Sequence, residues 1–183
     1  MFGFLPLILL GLFAAGLIAA AVASQFHTVK LTEQSWKTLV GKLQKLDNHA
    51  LMLVAQDFLD SGDRPFMLQP AEIWNFVGGY DGIQKMRDNA AIMLTLAAFI
   101  QEWNFDAGAI VGERMRRDAV LLRQSVRRLA LSRFRVTVFG RLSPSTLYDL
   151  QQAAASYYVM RDRLLSLYKM SLSGLYPALA EAL

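Results

Sequence analysis

The hydrophobic pattern changes character once along the chain, near residue 24. Residues 2–23, FGFLPLILLGLFAAGLIAAAVA, contain no charged side chain. At 1.5 Å of rise per residue such a helix would be about 33 Å long, matching the ~30 Å hydrocarbon core of a bilayer. The pattern therefore predicts a single transmembrane helix. Within it Gly11, Ala15, Ala19 and Ala23 recur every fourth residue, a small-residue face on which a second copy could pack to give a homo-oligomer. Lys30, Lys37, Lys42 and Lys45 follow the apolar run and no Lys or Arg precedes it. By the positive-inside rule the rest of the chain is expected on the cytoplasmic face of the plasma (inner) membrane. The alternative is export after cleavage at Ala23, where Ala21-Val22-Ala23 gives an A-x-A-like site. Against it, the run is longer than a signal-peptide core and lacks a basic leader.

Beyond this point the apolar positions repeat at helical spacing. Trp36, Leu39, Val40, Leu43, Leu46, Ala50, Leu53, Val54 and Phe58 predict one long helix from about Thr32 to Asp60. Residues 62–69 read as a loop. Pro70 opens a short helix to about Val77, and Gly78-Gly79 stops it. The next helix is expected to start at Asp81, with Gln84 in capping-box position. Its apolar stretch, residues 90–100, is too short to cross a bilayer and reads as core. Residues 104–108, NFDAG, have the composition of a turn or kink before a further helix whose seam is Val111, Met115, Ala119, Leu122, Val126 and Leu129. Strand propensity occurs only at residues 135–139, too short and solitary for a sheet. Ser143-Pro144 opens the last long helix, with Leu147, Leu150, Ala154, Tyr157, Leu164 and Tyr168 on its core face and Gly174 and Pro177 after it.

The expected fold is therefore all-α: an N-terminal single transmembrane helix (anchor 1–24, juxtamembrane join 25–31) followed by a bundle of about four long helices over 32–183. The length beyond the anchor suits one domain with a hydrophobic core. Absence of cysteine excludes disulfides and thiolate metal sites.

Charge changes the picture more than composition does. Residues 47–113 carry ten acidic side chains against three basic ones, and residues 114–141 carry nine arginines against Asp118 alone. On a helical wheel Arg116, Arg123 and Arg127 lie to one side of the Val111–Leu129 seam and Arg117, Arg128 and Arg135 to the other. These arginines could pair with the acidic helices of the same bundle, attract anionic lipid, or dock an acidic protein partner. Nucleic acid fits poorly, because the stripe contains no stacking aromatics and no reading motif.

Candidate chemistry is sparse. His49 is too far along its helix from Asp57 and Asp60 for one ion, and His27 lies in the join. HExxH, P-loop and GxSxG patterns and the Glu-x-x-His pairs of di-metal bundles are absent. Glu102, Asp106 and Glu113 would share a face of a continuous helix, where they could hold a cation or a proton or pair with Arg161 and Arg163. A turn at residues 104–108 would separate them. The aromatics Trp74, Phe76, Tyr80, Trp103, Phe105, Tyr157, Tyr158 and Tyr168 read as core rather than a ligand groove. No catalytic residue, metal ligand or cofactor is assigned. The function expected is that of an interaction or scaffold module at the membrane face, with a carboxylate-based helical enzyme or ion carrier as the alternative.

Overall fold

The computed structural model describes residues 32–60, 67–101, 104–139 and 143–183, with 132–139 described by backbone alone. The chain divides into two compact units, Met1–Thr32 and Glu33–Leu183, and the helical fold is that of the second. Its elements are α1 (Glu33–Val40), α2 (Asn48–Asp60), α3 (Pro70–Val77), α4 (Gly79–Gln101), α5 (Phe105–Phe139), α6 (Pro144–Ser171) and α7 (Tyr176–Ala182). The described residues form no strand, and residues 135–139 continue α5.

The membrane architecture expected from the sequence is corrected. Among the described residues no helix is long and apolar enough to cross a membrane. The most apolar stretch described, residues 90–100 of α4, follows Lys85, Arg87, Asp88 and Asn89 and contains Thr95, so it is too short and too polar for a bilayer and suits a protein core, as expected. The run over residues 2–23, with Gly11, Ala15, Ala19 and Ala23, lies outside the described residues. A single-pass, signal-anchored protein is accordingly not the fold established. That fold is an all-helical bundle.

Helix α6 is the centre of the bundle and packs against α2, α3, α4, α5 and α7. A helix covered on several sides must be buried around most of its circumference. The consecutive run Ala153, Ala154, Ala155, Ser156 and Tyr157 is buried, and small side chains there let neighbours approach closely. The wider core is aliphatic and methionine-rich, with Leu51, Ile73, Met86, Met93, Met115 and Leu122 fully enclosed. The seam predicted for α5 faces this core at Met115, Ala119, Leu122, Val126 and Leu129.

The long first helix expected to reach Asp60 is instead two, α1 and α2. After Val40 the chain tightens into a turn in which the Lys42 and Leu43 amides donate to the Leu39 and Val40 carbonyls. Asn89 of α4 then binds the connecting segment through both atoms of its amide: its Oδ1 accepts from the Gln44 amide at 2.9 Å, and its Nδ2 donates to the Gln44 carbonyl at 2.8 Å. Asp47 caps α2 by accepting from the Ala50 amide. Continuous helical periodicity did not reveal this break, because the groups that stabilise it come from a distant helix.

Helix α3 runs as predicted, from Pro70 to Val77, and ends in a left-handed Gly78 at φ 75°. Gly79 is also left-handed, at φ 60°, and begins α4 two residues before the expected Asp81 start. Asp81 pairs with Lys85 instead. The turn expected over residues 104–108 is replaced by a break ahead of Phe105: Asn104 accepts from the Ala107 amide through its side chain and so starts α5, with residues 105–108 as its first turn. Ser143 caps α6 through the Thr146 amide, with Pro144 following as expected. Pro177 does not merely terminate α6, since it lies at the start of the additional short helix α7.

Candidate functional site

Helix α5 places its arginines by simple periodicity. With Met115, Leu122 and Leu129 directed into the core, the positions opposite are driven to solvent, and Arg114, Arg116, Arg117, Arg123, Arg127 and Arg128 are all exposed. The side chain of Arg135 lies outside the described residues. Between these arginines stand exposed apolar side chains, Val120, Leu121 and Leu131, so the outer face of α5 is cationic and partly greasy.

Pairing divides the arginines into three groups. Arg116 and Arg117 both approach Glu113 on their own helix, at 3.3 and 3.6 Å. Arg128 crosses to α6, where it meets Asp149 at 2.9 Å and donates to Gln152 at 3.1 Å. Among the described residues Arg114, Arg123 and Arg127 form no ion pair. The ion pairs that join α5 to another helix go to α6, through Arg128–Asp149 and through Arg163 to Asp118. They do not go to the acidic part of the chain, which holds its own carboxylates locally. Lys85 takes Asp81, Arg87 takes Asp88, and Asp57 caps the backbone amides of Met67 and Leu68.

Burial pushes the Asp118 carboxyl above the ordinary carboxylate range, against the opposing pull of Arg163. Asp149 is raised for the same reason, with Arg128 working against it. Both acids therefore serve the α5–α6 contact and are unavailable to a ligand. The sequence pattern gave no warning of Arg163–Asp118, because its partners lie on separate helices 45 residues apart.

Two of the three carboxylates expected to share a face are described: Asp106 and Glu113 both lie on α5 and are exposed, and Glu113 is engaged by arginines. Glu102 lies outside the described residues. Among the described residues no group of three His, Asp or Glu side chains could hold a metal ion, and His49 is exposed. Of the aromatics, Tyr157 and Tyr168 are core, Trp74 and Tyr80 stack edge to face at 4.9 Å, and Phe105 is exposed. Trp103 and His27 lie outside the described residues.

On the α4 side of the arginine face is an open groove of about 180 Å³. Ala90, Ala91, Leu94, Ala119 and Leu122 line it, together with the charged side chains Arg87, Asp88 and Arg123. Arg87 carried no signal in the sequence, since only the antiparallel packing of α4 on α5 brings it beside Arg123. Compared with protein-family models, curated proteins and solved structures, the chain matches none.

Proposed function

We propose that the helical domain is an interaction module that docks an acidic partner on the arginine face of α5. The observation that carries the reading is that Arg123 and Arg127, one helical turn apart on the same flank of α5 as Arg116, are exposed with no carboxylate to neutralise them among the described residues. Guanidinium groups are matched to carboxylates in geometry as well as charge, so clustered unpaired arginines favour an acidic motif. The neighbouring Arg116 and Arg117 reach only an exposed carboxylate of their own helix, and such surface pairs are weak enough to exchange for an incoming one. Exposed Val120, Leu121 and Leu131 add apolar contact between the charges, as protein interfaces do.

The test is binding of fluorescein-labelled polyglutamate to the full chain, followed by fluorescence anisotropy at rising salt. Binding should weaken with salt, and R116E/R123E/R127E should reduce it by about tenfold or more, equivalent to losing about 1.4 kcal/mol or more of charge attraction. Its thermal midpoint should stay close to the parent's, because among the described residues none of the three forms an ion pair with another helix. Unchanged binding in the triple variant would overturn the proposal.

A further inference from the structure

We infer that the groove between α4 and α5 is the seat of an acidic amphipathic helix, which sets one leucine-sized side chain between Arg87 and Arg123 and aligns its carboxylates with the arginine flank of α5. The inference rests on the reading of α5 as an acid-docking face and names what that face takes.

The size of the groove decides the class of occupant. At about 180 Å³ it lies below the roughly 300–1,000 Å³ of sites that enclose small molecules. It has room for one large apolar side chain, and it is open to solvent along its length between two antiparallel helices. Its floor is made of short side chains, Ala90 and Ala91 from α4 and Ala119 from α5, with Leu94 and Leu122 beside them. Short side chains let a third helix approach closely enough to bury an anchor residue, the geometry of helix-in-groove recognition.

Charge complementarity decides its sign. Arg123 is exposed and unpaired among the described residues, and Arg87 pairs at 2.9 Å with its half-buried chain neighbour Asp88, which also lines the groove, so the three charges there leave one net positive charge for a partner. Arg116 and Arg127 stand seven residues before and four after Arg123, on the same flank of α5. Together the three span eleven residues, about 16 Å of helix. A docked helix with carboxylates one turn apart on either side of its apolar anchor would meet this row in register. An anionic lipid surface could also use the arginines, but it would leave the alanine-floored groove empty.

The experiment compares two labelled peptides on the full chain: polyglutamate, and an amphipathic helix of Glu, Leu and Ala with a single leucine stripe. Burying one leucine side chain should make the amphipathic peptide about tenfold tighter or more. A91W places a bulky side chain over the groove from an exposed position. It should remove that gain while polyglutamate binding and the thermal midpoint stay as in the parent. R87E and R123E should each weaken the amphipathic peptide. Equal binding of both peptides, or a gain that survives A91W, would overturn the groove as a seat while leaving the arginine face intact. Failure of both peptides would overturn the two readings together. Arginine-dependent binding to phosphatidylserine vesicles, with neither peptide bound, would assign the face to lipid and overturn both.

Discussion

Trp36 and Tyr168, 132 residues apart, are joined by a buried hydrogen bond in which the indole Nε1 donates to the phenol oxygen at 2.8 Å. The Tyr168 hydroxyl donates onward to the Leu96 carbonyl at 3.0 Å, so one side chain ties α1, α4 and α6 together. Removing the hydroxyl in Tyr168→Phe leaves the indole N–H buried without its acceptor. The cost should be about 1–3 kcal/mol, read as a lower denaturant midpoint with an unchanged slope. The double variant with Trp36→Phe should cost less than the sum of the two single substitutions, because no donor is then stranded.

The same phenol sets an alkaline limit. Burial raises the ionisation of Tyr168 above its ordinary range, and that of Tyr157 likewise, while hydrogen bonds from Trp36 and Asn89 act in the opposite direction. A group with its folded value above its unfolded value contributes stability that is complete below the unfolded value, about 10 for tyrosine. That contribution is lost as pH rises through the folded value. Thermal midpoints should therefore fall as pH is raised above about 10, and Tyr168→Phe should show a shallower fall from a lower start. A parallel decline in both chains would exclude Tyr168 as its source.

Arg163 and Asp118 pin α6 to α5 from positions where both side chains are largely shielded. Breaking a shielded pair strands a charge, whereas removing both leaves none. Asp118→Ala and Arg163→Ala should each destabilise the domain, and the double variant should cost less than their sum by about 0.5–3 kcal/mol. Additive costs in denaturant titrations would show that the pair carries no coupling.

The turn between α4 and α5 rests on a close approach. A Cβ at Gly108 would come within 3.0 Å of the Gln101 backbone, whereas one at Gly112 would meet the movable end of the Gln101 side chain at 2.7 Å. Gly108→Ala must shift the backbone and should destabilise by roughly 1–3 kcal/mol. Gly112→Ala should cost distinctly less, since the amide that donates to the Gly108 carbonyl can swing away. Chemical denaturation of the two variants would rank them, and the reverse order would contradict this packing.

The sequence by itself determined the local features. Helical class, the Pro70–Val77 helix, the break before Phe105, the Ser143-Pro144 start and the inward seam of α5 all follow from periodicity and capping within a few residues. The outward arginine face follows in the same way, since opposite sides of a helix are fixed once the seam is known.

What required tertiary structure depended on groups far apart in sequence. Asn89 divides α1 from α2 by binding Gln44, and α6 is central because five helices happen to cover it. Arg87 becomes part of the candidate site only through the pairing of α4 with α5, and Asp118 is withdrawn from it by Arg163. The apolar run of residues 2–23 predicts a membrane span but lies outside the described residues, among which no helix is long and apolar enough to cross a membrane. Periodicity assigns a residue to a face of its own helix. Which neighbour covers that face, and so which charges are left for a partner, is decided by packing.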